Sequence, residues 1–185
     1  MRDATKLLIT GPPGTGKTTL FKKLAAELGS WRPVGFYTEE IRAGGVRKGF
    51  GLRSLDGRAG VLAHVDFAGR SRVGKYGVDV AGFDGFLAEI AFPNPEAGLV
   101  MVDEIGKMEC LSRRFQQVIR GILDSERLLI ATIAQHGGGL IEEIKRRRDV
   151  RIYALTAQNR DAMVQTLLAE VQLPNLELRT LSPNP

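Results

Sequence analysis

Apolar positions in this chain alternate between short runs and helical stripes. Leu7-Leu8-Ile9 is a compact run of strand length, after which Leu20, Leu24 and Leu28 recur every fourth residue, the spacing of one helix face. Gly29-Ser30 stops that helix, and Trp31-Arg32-Pro33 leads on. The pattern then changes. Residues 34–42 and 46–54 read as strands around an Ala43-Gly44-Gly45 turn, and Asp56-Gly57, a type I′ turn signal, leads into a third strand over 58–64. Links this short make an antiparallel meander.

Residues 67–76 form a polar, glycine-containing loop, and 77–80 lead to a helix over 83–91 that Pro93-Asn94-Pro95 ends. Strands at 99–102, 128–133 and 150–155 then alternate with helices at 113–123, 139–147 and 159–171. This alternation predicts an α/β fold, a mainly parallel sheet with helices on both faces and the meander at about 34–64 as its antiparallel part. The ligand crevice of such a sheet lies beyond the carboxyl ends of its strands. Residues 1–172 are expected to form a single domain, and 173–185, which lack a clear period, a loosely ordered tail.

Between the first strand and the first helix stands Gly11-Pro12-Pro13-Gly14-Thr15-Gly16-Lys17-Thr18-Thr19, which satisfies G-x-x-x-x-G-K-[ST] in the strand–loop–helix context that pattern requires. A loop that wraps phosphates brings several backbone N–H groups inward, and side chains at Gly11, Gly14 and Gly16 would obstruct it. The helix start adds unpaired N–H groups and a positive dipole end. Lys17 is the point charge for the outer phosphates, and the Thr18 hydroxyl a ligand for magnesium, with Thr19 beside it. The apolar strand ending in Asp103 supplies a second magnesium ligand, direct or through water, and Glu104 is the general base or water-positioner.

Composition narrows the picture. With 185 residues, 43% hydrophobic and 25% charged, the chain matches a soluble globular domain with a sizeable core. No apolar run approaches the ~18 residues of a membrane helix, and the first strand begins too soon for a signal peptide, so a cytoplasmic location and no membrane partner are expected. Cys110, the only cysteine, stands beside Met108 and Leu111 and reads as a small hydrophobe; His64 and His136 alone argue against a zinc site. The net charge of +5 suits an enzyme for polyanionic nucleotides, with a nucleic-acid partner as the less favoured reading. The Lys145-Arg146-Arg147-Arg148 cluster reads first as a solvated helix end.

Asp103-Glu104-Ile105-Gly106 also fits the D-x-x-G of GTPases, but N-K-x-D, which would read guanine, is absent from the sequence. Gly11 to Thr18, Gly35-Phe36-Tyr37-Thr38-Glu39-Glu40-Ile41-Arg42, Gly49-Phe50, Gly74-Lys75-Tyr76-Gly77-Val78, Asp103-Glu104-Ile105-Gly106-Lys107-Met108-Glu109 and Asn159-Arg160-Asp161 together resemble the THEP1 family of nucleoside-triphosphatases, from about residue 5 to about 171. The resemblance implies a three-layer, RecA-like P-loop fold. It also implies slow, magnesium-dependent hydrolysis of ATP, GTP and other triphosphates to diphosphate and phosphate, with broad base preference. It carries Gly11 to Thr18 over as the phosphate loop, Asp103 as the metal-associated acid and Glu104 as the catalytic carboxylate, and puts Asn159 and Arg160 near the base. Lys107 and Arg42 are the two candidate transition-state cations, each with an ion-pair role as its alternative. A nucleotide-dependent RNA- or protein-binding regulator and a nucleotide or nucleoside kinase are the competing functions.

Overall fold

The computed structural model describes residues 6–92 and 97–180, with 172–180 as backbone only. Its nine strands are β1 (Lys6–Thr10), β2 (Val34–Ala43), β3 (Val46–Ser54), β4 (Ala59–His64), β5 (Arg72–Val73), β6 (Tyr76–Val78), β7 (Leu99–Ile105), β8 (Leu128–Ile133) and β9 (Val150–Ala154). They form one sheet in the order β5-β6-β4-β3-β2-β7-β8-β1-β9. From β2 to β9 every neighbouring pair is parallel; from β2 to β5 every pair is antiparallel. The sheet therefore has a parallel core with the meander grafted on one edge.

Helices cover both faces: α1 (Lys17–Glu27), α2 (Val80–Glu89), α3 (Arg113–Leu123), α4 (Leu140–Lys145) and α5 (Arg160–Thr180). The side-chain period of two sorts the central strands between two cores. Leu8, Val100, Val102 and Ala131 join Phe83, Phe115, Ile119 and Ile144 from α2, α3 and α4. Leu7, Ile9, Met101 and Ile130 join Leu20, Phe21 and Leu24 of α1 and Met163 and Leu167 of α5. This is the expected three-layer α/β arrangement.

Two strands appear where the sequence reads as a loop, because Arg72 ties the segment together. Its guanidinium donates to the carbonyls of Phe67 (3.2 Å) and Lys75 (2.8 Å), closing β5 and β6 into a short hairpin that pairs with β4. The Asp56-Gly57 turn is present but not of type I′. Only Gly57 has positive φ (98°), and Ser54 folds back on the segment through Asp56 and the Arg58 N–H. The last helix runs on to Thr180, nine residues past the end that its period predicts. Residues 181–185 and the side chains of 172–180, where the tail is expected, lie outside the described residues.

The meander has one consequence for any ligand. β2 pairs with β7 only from Val34↔Val100 to Tyr37↔Asp103, then continues as a hairpin with β3. Residues from Thr38 onward therefore project past the carboxyl end of the parallel core, beside the loop after β1. Gly35 makes the seam between the halves tight: its φ is +144°, and a Cβ there would stand 1.7 Å from the Met101 carbonyl oxygen.

Candidate active site

The loop after β1 is held by its own geometry. Gly16 caps α1 in a left-handed conformation (φ 96°, ψ 22°), which an L side chain would strain, and so turns the chain abruptly into the helix. Lys17 Nζ donates to the carbonyls of Gly11 (2.9 Å) and Pro12 (3.3 Å) and lies 3.8 Å from Glu104 Oε1. The ammonium thus sits in the mouth of the loop, on groups that a phosphate oxygen can replace.

The end of β7 meets the start of α1. Asp103, only 2% exposed, accepts from Thr18 Oγ1 at 2.5 Å and from the buried Thr132 Oγ1 on β8. The peptide joining it to Glu104 is cis. Burial pushes the Asp103 carboxyl above its ordinary value, against the two threonine hydrogen bonds and Lys17. Burial likewise raises Glu104, with the Lys17 charge as the main opposing influence. A third carboxyl was not assigned from the sequence: Glu109 is buried and pushed up to about 8, first by desolvation and then by Glu104 and Asp103. Oxygens of Glu109 and Glu104 converge on Gly106, at 2.7 and 2.9 Å from where its Cβ would be.

Lys17, Thr18, Asp103 and Glu104 border a cleft of about 550 Å3. One wall runs from Pro13 to Thr19, Asp103 and Glu104 lie between, and Thr38, Glu39, Glu40, Arg47 and Phe50 form the other wall. A hollow of about 230 Å3 adjoins it past Glu104, bordered by Lys107, Met108, Glu109 and His136. Another, of about 200 Å3, opens on the outer side of Gly16 and Thr19 against Lys23, Arg160 and Asp161.

The expected site residues distribute unevenly over these spaces. Pro13, Gly14, Lys17, Thr18, Asp103 and Glu104 share the cleft, Gly16 and Thr19 border both it and the outer hollow, and Arg160 borders the outer hollow alone. Thr15 holds the loop from outside, its hydroxyl donating to the Pro12 carbonyl at 2.9 Å. Asn159 does not border the hollow. Its amide bonds Thr156 N and Ala154 O, both at 2.8 Å, and so fixes the link between β9 and α5. Lys107 stands in the hollow beyond Glu104. Arg42 is spent at the tip of the meander on Glu40 (2.7 Å) and the Gly45 carbonyl (2.7 Å); it backs the cleft residue Glu40 but does not itself border the cleft.

Sequence reasoning missed Thr132, Lys22 and Arg47. Thr132 carried one signal, being the lone polar residue of Leu128–Ile133. The basic cluster is largely consumed internally: Lys145 Nζ donates to the carbonyls of Ala134 and Gln135 (2.7 Å each), Arg146 pairs with Glu142, and Arg147 with Asp124 and Asp149. Cys110 is half-buried against the core with its thiol pushed up to about 12, chiefly by burial, as a small hydrophobe would be placed.

Comparison with known proteins agrees with this fold. The NTPase family model matches residues 6–168. The nucleoside-triphosphatase THEP1 of Thermotoga maritima is 46% identical over 167 residues, which cover 89% of this chain and 94% of the relative. The human cancer-related nucleoside-triphosphatase is 37% identical over 189 residues, covering 91% and 97% of the two chains. Among solved structures, the crystal structure of THEP1 from Aquifex aeolicus superposes with a TM-score of 0.81 at 34% identity, covering 89% of this chain and 97% of the other. With a phosphate-binding loop, a strand-end acid and a neighbouring carboxylate on one cleft, and with relatives matched over nearly their whole length, this chain belongs to the THEP1 family of nucleoside-triphosphatases.

Proposed function

We propose that this enzyme releases the γ-phosphate of nucleoside triphosphates by attack of water in the cleft between Lys17 and Glu104, with magnesium as cofactor. The observation that carries the reading is the convergence of Thr18, Asp103, Glu104 and Lys17 at one point of the cleft. The Gly11–Thr18 loop cradles the phosphates with its backbone N–H groups, and Lys17 exchanges its carbonyl partners for phosphate oxygens. Glu104, whose pKa is raised, is suited to orient water and take its proton. Thr18 and Asp103 offer two hard oxygens 2.5 Å apart, which fits a small divalent ion that takes most of its ligands from phosphate and water. When bound, magnesium would neutralise charge on the outer phosphate oxygens.

The outer hollow at Arg160 is the natural place for the ribose and base. Its polar tips are the flexible charged side chains of Lys23, Arg160 and Asp161 with Thr19, a set suited to broad base preference. Slow turnover, a single catalytic domain over 1–172 and a cytoplasmic location complete the proposal; no helix among the described residues is long and apolar enough to cross a membrane. Phosphate release from ATP, GTP, CTP and UTP, with magnesium or with chelator, tests it. Release is expected from all four and only with the metal; a rate no higher than that of Lys17→Ala would overturn hydrolysis at this site.

A further inference from the structure

The cleft wall built by the meander presents a guanidinium that the sequence did not single out. We propose that Arg47 is a catalytic residue, the cation that stabilises charge on the transferring phosphoryl group; this rests on the hydrolytic reading above. Arg47 borders the same cleft as Lys17, Thr18, Asp103 and Glu104. Its guanidinium lies over the Phe50 ring, 5.2 Å from the centroid, and Phe50 with Thr38 and Glu104 borders both the cleft and the hollow beyond it. Arg47 therefore stands at the Glu104 end of the triphosphate, opposite the outer hollow of Arg160. Tyr76 Oη accepts from Nε at 3.0 Å and Glu40 from Nη1 at 2.7 Å, so the head is oriented in advance. The side chain is 42% exposed, which leaves its fork open to a second anion.

Of the other basic residues of the region, Lys22 borders the same cleft but is a point charge on α1, paired with Glu39 and set over the Tyr37 ring, without a planar fork; Arg42 is held at the turn, and Lys107 lies in the hollow. In the step itself, a bond forms between the water oxygen and phosphorus while the bond from phosphorus to the β–γ bridging oxygen breaks. The water proton passes to Glu104 and the electron pair stays on the diphosphate. Charge on the phosphoryl oxygens is greatest midway, where a planar fork gains more than it does on the ground-state substrate.

The test compares Arg47→Ala, Arg47→Lys and Arg42→Ala with wild type. Arg47→Ala is expected to lower kcat at least ~100-fold with KM within about threefold, the signature of an interaction made in the transition state. Arg47→Lys should recover little, and millimolar guanidinium chloride should restore part of the Arg47→Ala rate. Binding of ADP with aluminium fluoride, a mimic of the planar phosphoryl group, should weaken in Arg47→Ala while ADP alone binds as before. A kcat within threefold of wild type, a loss confined to KM, or an equal loss in Arg42→Ala would overturn the proposal. If circular dichroism shows Arg47→Ala unfolded, Arg47→Lys, which retains charge and stem, carries the comparison. If wild type releases no phosphate, the hydrolytic reading fails, and the aluminium fluoride measurement still decides whether Arg47 meets the ligand.

Discussion

The two walls of the cleft are built on different principles. On the parallel side, Gly11 to Thr18 and Asp103-Glu104 hang from β1 and β7, whose apolar side chains are buried on both faces. The reactive groups there are fixed by backbone and by buried hydrogen bonds such as those from Thr18 and Thr132 to Asp103. On the meander side, Glu40 pairs with Arg42 and Arg47, and Glu39 with Arg53 and with Lys22 of α1, all through exposed ion pairs. On the proposed reading the first wall would hold a metal and phosphates in one geometry, because its support does not yield. The second can exchange partners, since exposed pairs contribute little and are readily screened. Rigid binding and adjustable charge are thus separated between two halves of one sheet.

The sharpest way to break this division is at the rigid wall. Glu104→Gln preserves shape and removes the proton acceptor, so turnover should fall by about 10³-fold while triphosphate affinity stays within a few fold. Single-turnover phosphate release alongside equilibrium binding of a non-hydrolysable triphosphate checks it. If affinity fell as steeply as turnover, Glu104 would belong to ligand binding, and the rigid wall would lack a water-activating group.

The seam between the halves is next. Gly35 adopts φ +144° against the Met101 carbonyl, and a Cβ there would stand 1.7 Å from that oxygen. Gly35→Ala should therefore push β2 off β7 and destabilise the fold by about 4 kcal/mol or more, within the range of the severest single substitutions. Urea denaturation measures this. A loss below about 1 kcal/mol would mean that the meander rides on the core more loosely than the register at Gly35↔Met101 implies.

The same division decides what was legible beforehand. Gly11 to Thr18 and Asp103-Glu104 are contiguous segments whose chemistry follows from residue order, and strand alternation placed them at one sheet end. Arg47 and Glu40 meet only through hairpin register, which shifts between Ile41 and Arg42. A shift of one residue redirects every side chain beyond it, and no local pattern announces it. The sequence string accordingly offers Arg42 instead, which the turn consumes at the Gly45 carbonyl. Glu109 is hidden for a related reason: a carboxyl four residues past the end of β7 looks solvated until the short helical turn Glu109–Leu111 carries it inward.

A smaller effect separates the parallel core from the meander by pH. Lys6 is 2% exposed on β1, its ammonium donating to the carbonyls of Ser125 (2.9 Å) and Arg127. Desolvation lowers its pKa to about 8, against the attraction of Asp149 and Glu126. The folded protein therefore loses this proton before the unfolded chain does. Between about pH 8 and the unfolded value near 10.5 the unfolded state holds more protons, and stability gains as pH rises. Relative to Lys6→Met, wild type should gain about 2 kcal/mol from pH 7 to pH 10, measured by denaturation of both proteins. An unchanged difference would mean that the carbonyls hold the charged form as well as water does.

The smallest effect tests the adjustable wall directly. Lys22 on α1 reaches Glu39 on β2 at 2.6 Å and covers the Tyr37 ring at 4.4 Å, so this pair ties the core to the meander. Both side chains are over a third exposed, at 44% and 38%. A double-mutant cycle of Lys22→Ala and Glu39→Ala should give a coupling below about 1 kcal/mol, falling toward zero in 1 M salt. A coupling of 2 kcal/mol or more that salt left intact would make the pair a fixed strut. The meander would then resemble the parallel wall in rigidity, and Arg47, on the adjacent strand, would have less freedom to settle its open fork on a phosphate oxygen.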